Sequence, residues 1–133
     1  MSLTSIQAFA APDLQAVDAV RAVIEEYYGS WFDADSGRMA RTIHPDLAKR
    51  GWVRESSGDP VLDTDSFDTM VEWTRQGRGR RDGPAERAIE IQVIEVYDDI
   101  ATALVHTRRY IETLHLVRTA AGWRILNALW RTP

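Results

Sequence analysis

Three histidines, His44, His106 and His115, and one asparagine near the end of the chain, Asn127, are the residues best suited to moving protons. An imidazole, with an ordinary pKa of about 6.5, becomes an acid or a base after only a small shift. An asparagine amide donates and accepts, as an orienting or oxyanion-holding group must. His106 stands with Ile89, Ile91 and Leu104 on a strand face too apolar for solvent, and Asn127 stands with Leu114, Ile125 and Leu129. They form a candidate catalytic pair, His106 as acid or base and Asn127 as oxyanion partner. Each is also accounted for as a buried polar residue satisfied by nearby backbone.

His44 is the third catalytic candidate. It precedes Pro45, which disfavours the helical conformation at the residue before it. A helix ending there would place the imidazole at the negative end of the helix dipole, a gain of about 0.3–1 kcal/mol that explains the residue without chemistry. Arg50 offers a planar fork to an anionic or carbonyl group on a ligand; its bland reading is an ion pair with Asp46. Tyr27, Tyr28, Trp31 and Trp52 supply flat apolar walls for an aromatic ligand, or else plain core. A metal site is not expected, because the histidines lie on separate elements with no close pair at ligand spacing. Residues 75 to 87 carry five arginines but no interleaved aromatics, so they read as a solvated loop and not a nucleic-acid surface. No Gly-rich phosphate motif follows a strand, and no cofactor is expected.

Periodicity places these residues on elements. Pro12 suits the first turn of a helix. Val17, Val20, Ile24, Tyr27, Tyr28 and Trp31 then recur at three- and four-residue steps, with Gly29 loosening the helix end. A short helix capped by Asp35 or Ser36 buries Met39 and Ile43. "RGWVRES" reads as a short strand, "SGDP" as a turn, and a third helix capped by Thr64 carries Phe67, Met70, Val71 and Thr74. From Ala88 the period becomes two, giving two hairpins in a four-stranded antiparallel meander. If Tyr97 faces Ile100, antiparallel pairing sets Ile91 opposite His106 and Val93 opposite Leu104. In the second hairpin, parity puts Asn127 inward with Trp123 and Ile125, and His115 outward with Arg124, Leu126 and Trp130. A one-residue bulge would reverse these faces.

A chain of 133 residues that is 44% hydrophobic and 27% charged is expected to fold as one α+β domain, residues 13–133, after a loose tail over 1–12. Its net charge of −4 does not favour nucleic acid. No apolar run approaches the ~20 residues of a membrane span, and the opening "MSLTSIQAFAAP" lacks the basic and long apolar regions of a signal peptide. The absence of cysteine fits a reducing compartment, and a cytoplasmic location is expected.

The segments "YYGSWFDADSGRMARTIHPDLAKR" and "ETLHLVRTAAGWRILNALW" resemble the nuclear transport factor 2-like (NTF2-like) superfamily, in its SnoaL-like branch named for lumazine binding. Relatives in this branch often carry an Asp-Tyr pair where this chain reads Glu112-Thr113. The resemblance implies a cone: three N-terminal helices packed on a strongly curved antiparallel sheet, with a deep pocket at the wide end. It also implies a homodimer through the outer sheet face, where His115 falls. Two functions follow as expectations. One is a small-molecule-binding domain holding an apolar or aromatic ligand. The other is a cofactor-free cyclase, isomerase or dehydratase, in which His106 and a second titratable group, His44 or Asp33, would converge on one empty volume.

Overall fold

The first helix begins at a cap. In the computed structural model, which describes residues 11–133, the Asp13 carboxylate accepts hydrogen bonds from the backbone N–H groups of Gln15 and Ala16 at 3.0 and 3.3 Å. This starts α1, Leu14–Asp33, so Pro12 lies just before the cap and not within the first turn. Most of the tail expected over 1–12 lies outside the described residues. Val20, Ile24, Tyr27, Tyr28 and Phe32 form the buried stripe of α1. Gly29 does not loosen it; the helix runs on to Asp33 and ends at Ala34, in the left-handed region with φ 55°.

Asp35 caps α2, Ser36–Ala40, by accepting from the Arg38 N–H. The Thr42 hydroxyl donates to the Met39 carbonyl at 2.8 Å, and the helix is over before Pro45 is reached. His44 therefore does not end a helix. It is the second residue of β1, Ile43–Arg54, where its Nδ1 accepts from the Asp46 N–H at 3.0 Å. The extended bias that Pro45 imposes on His44 is met by a strand. The "SGDP" turn leads into a strand absent from the sequence reading, β2, Pro60–Asp65, which pairs antiparallel with β1 from Lys49↔Asp65 to Arg54↔Pro60. A proline is tolerated at the start of an edge strand because it owes the ladder no donor. Thr64 is held in that ladder opposite Arg50, so Ser66 caps α3, Phe67–Arg75.

The remaining strands are β3, Glu90–Tyr97, β4, Ile100–His106, β5, Ile111–Thr119, and β6, Gly122–Arg131. The six-stranded sheet has the order β2-β1-β6-β5-β4-β3, in which β1–β6 is parallel and the other pairings are antiparallel. The helices pack on one face of this curved sheet, an α+β arrangement, and the core lies between them. No described helix is long and apolar enough to cross a membrane. The arginine-rich loop contains a short 3-10 turn, Arg78–Arg81, set hard against α1: a Cβ on Gly79 would lie 2.3 Å from the Trp31 carbonyl oxygen.

Two bulges overturn the expected faces. Tyr97 does face Ile100, but the register slips at Ile94, so Val93 pairs with Ala103 and Glu90 with His106. Ala101, Ala103 and Val105 then point into the core, while His106 is exposed on the other face. In β6 the slip falls at Leu126. Trp123 and Ile125 are buried as expected, then Ala128 takes the inward position and Asn127 turns outward. One extra residue on one strand is enough, because side chains alternate with a period of two.

Candidate functional site

The open end of the fold holds a cavity of about 260 Å³ between α1, α3, the 3-10 turn and the inner face of β1, β2, β5 and β6. Its apolar walls are Tyr27, Tyr28, Trp31, Met70, Trp73 and Trp130. Alternation along β1 aims Lys49 at this space, and alternation along β5 aims Glu112 there. The Lys49 ammonium donates to Glu112 Oε2 at 2.8 Å and to the Tyr27 hydroxyl at 2.5 Å. The Tyr28 hydroxyl donates to the other carboxylate oxygen, Oε1, at 2.8 Å. Three elements thus meet in one buried polar cluster.

Its electrostatics are set by competition between burial and pairing. Burial alone would push the Lys49 ammonium down, but the Glu112 carboxylate and the Tyr27 oxygen outweigh it, and the net shift is upward. Lys49 therefore stays charged. Burial, then the Glu112 charge, push the Tyr27 and Tyr28 phenols above their ordinary range, which keeps both as hydrogen-bond donors. At the rim, buried Asp82 is paired with Arg109 at 2.7 Å. Burial, followed by the Asp82 charge, raises the pKa of the nearby Tyr110 phenol. Arg78 stacks its guanidinium 4.1 Å from the centre of the Trp73 ring, a cation–π contact at the mouth.

Asp65 differs from the other buried acids. It is 3% exposed and lines the cavity, and burial followed by the neighbouring Asp63 charge raises its pKa, opposed in part by Lys49 and Arg78.

Tyr27, Tyr28 and Trp31 line this cavity, and the other sequence candidates do not. Arg50 is exposed, and Trp52, 47% exposed, borders a separate shallow hollow with Pro60 and Arg131. Alternation explains both: with Lys49 and Gly51 facing inward, residues 50 and 52 must face out. His44 stands at the start of β1, beside Asp46. Asp33 is bound at the surface by Arg38 at 2.8 Å. His106 and Asn127 lie on the outer face, where the Asn127 amide nitrogen sits 3.3 Å from His115 Nδ1. The inward placement of His106 and Asn127 is thus corrected, and the two expected partners do not meet across the cavity.

Lys49, Asp65, Glu112 and Trp73 escaped the sequence reading, and Trp130, expected outward with His115, lines the cavity because the slip at Leu126 reverses it. Glu112 had a signal, since the resemblance implies an acid at its position. Lys49 had none with a strand expected only from Arg50, and Asp65 had none beside Thr64, expected to cap a helix.

A family model described as "Putative lumazine-binding" matches residues 15–131. Among solved structures, an NTF2-like protein of unknown function from Silicibacter pomeroyi DSS-3 is 17% identical, with 92% of this chain and 100% of that one covered and a TM-score of 0.69. Another from Shewanella baltica OS155 is 14% identical, with coverage of 93% and 98% and a TM-score of 0.69. A ketosteroid isomerase-like protein from Erwinia carotovora atroseptica SCRI1043 is 16% identical, with coverage of 89% and 96% and a TM-score of 0.60. These structural likenesses show the NTF2-like fold. No curated protein matches the chain.

Proposed function

Because the chain belongs to the family described as "Putative lumazine-binding", on the NTF2-like fold, we propose that it is a small-molecule-binding domain holding a flat ring in this cavity. The observation that carries the reading is the pairing of aromatic walls with a buried polar floor. Tyr27, Trp31 and Trp73 line the space as aromatic walls, and Lys49 offers a fixed charge to the polar edge of a ring. Ligand sites combine a mainly apolar lining with few polar groups in this way. A volume of about 260 Å³ falls just below the ~300–1,000 Å³ usual for drug-sized ligands, so the occupant is small. The groups expected to carry a cyclase, isomerase or dehydratase reaction, His106 and Asn127, lie outside the cavity, which leaves binding as the better-supported reading.

Titration with lumazine (pteridine-2,4-dione), followed by tryptophan fluorescence, tests the proposal. The expected result is saturable quenching with a Kd on the order of 10 μM, reasonable for a ligand of this size. Trp73→Ala should weaken it about tenfold by removing one wall. The reading is overturned if no saturable change occurs up to millimolar concentration and native mass spectrometry of the purified protein shows no retained small molecule.

A further inference from the structure

Every buried acid in the cavity has a donor except one. Glu112 accepts from Lys49 and Tyr28, and Asp82 accepts from Arg109. Asp65 is also a largely buried residue, yet among the described residues its carboxylate accepts no hydrogen bond from side chain or backbone and is turned to the cavity. Its natural partner is adjacent. Lys49 stands directly opposite it in the β1–β2 ladder, on the same inner face, but commits its ammonium to Glu112 and Tyr27. The Asp65 carboxylate faces the cavity, so it is free to accept a hydrogen bond from whatever fills that space.

We propose that Asp65 and Lys49 together read an N–H/C=O edge of the ligand. Asp65 accepts from a ring N–H. Lys49, whose ammonium has three donors and spends two within the protein, gives the third to the neighbouring carbonyl oxygen. Directly opposed residues of an antiparallel pair have Cα atoms about 4.5–5.5 Å apart, so acceptor and donor stand side by side. A hydrocarbon ring matches neither group. At this side of the cavity a carboxylate would meet Asp65 and Asp63, whereas the cations Arg78 and Arg81 line it elsewhere. The edge next to Asp65 must therefore carry a hydrogen and not a negative charge. The class that matches is a neutral cyclic amide, imide or ureide. This inference rests on the cavity being a ring-binding site.

The test compares lumazine with 1,3-dimethyllumazine, the same ring with both N–H groups methylated, against the wild-type chain, Asp65→Ala and Asp65→Asn. The wild type is expected to prefer lumazine by about tenfold or more, the effect of one charge-assisted hydrogen bond. In Asp65→Ala lumazine affinity should fall to that of the dimethyl ring, and in Asp65→Asn, which keeps a neutral acceptor, the preference should shrink, while dimethyl affinity stays within about twofold in both. Both variants remove an unpartnered carboxylate, so folding is expected to survive; circular dichroism checks this, and the wild-type comparison stands without them. Equal wild-type binding of both rings overturns the inference and leaves the ring-binding reading intact. So does a full preference for lumazine that persists in Asp65→Ala, or one that disappears only because dimethyl binding improves. Failure of the wild type to bind either ring overturns the inference, and together with no small molecule retained in native mass spectrometry it overturns the ring-binding reading as well.

Discussion

Lys49 and Glu112 hold opposite charges where little water reaches them, with side-chain exposures of 13% and 2%. Such a pair is rarely the most stable way to fill a space, because removing two ions from water consumes most of what their attraction returns. Breaking it is another matter. Lys49→Met would leave Glu112 ionised and buried with only the Tyr28 hydroxyl for company. We expect a loss of about 3–5 kcal/mol, measured by urea denaturation. The double variant Lys49→Met with Glu112→Gln should recover more than half of it, since no orphan charge remains. If Lys49→Met unfolds at the wild-type urea concentration, the ammonium is not neutralising Glu112, and the account of the polar floor fails.

The elements place these residues through small irregularities. The bulge at Leu126 turns Asn127 outward and leaves Trp130 free to cover Gly51 across the parallel β1–β6 pair. A Cβ at position 51 would lie 2.5 Å from the Trp130 ring, so glycine is what lets the indole lie flat against β1 and close that side of the cavity. The indole Nε1 is buried there without a partner. Gly51→Ala should cost about 1–3 kcal/mol, as overpacking does, and shift the tryptophan emission as the ring is pushed off the strand. An unchanged midpoint in thermal unfolding, with an unchanged spectrum, would mean the ring does not rest on Gly51. The order of helices and strands was legible because apolar spacing of 3.6 or 2 survives in the sequence. The faces of β4 and β6 were not, since neither Ile94 nor Leu126 differs in type from an ordinary strand residue.

Taken whole, the molecule has an outer sheet face that is more apolar than a solvated surface requires. Trp52 pairs with Leu62 there, and Leu129 stands beside Arg50 on the next strand; Leu62 and Leu129 are more than half exposed. Clusters of exposed large apolar residues mark interaction surfaces more often than chance. A second copy meeting this face about a two-fold axis would cover it. Sedimentation velocity should therefore show a dimer that Leu129→Glu converts to a monomer, with the circular dichroism spectrum retained. A wild-type monomer at high micromolar concentration would end that expectation.

By itself the sequence determined the α+β class, three helices, the two C-terminal hairpins and the aromatic wall from α1, because each depends on local spacing and capping. Tertiary structure alone decided which polar groups share the cavity. Lys49, Asp65 and Glu112 come from strands distant in the chain. Their meeting depends on a hairpin closed by an unremarkable turn and, across β6, on a one-residue slip that reverses every side chain beyond it.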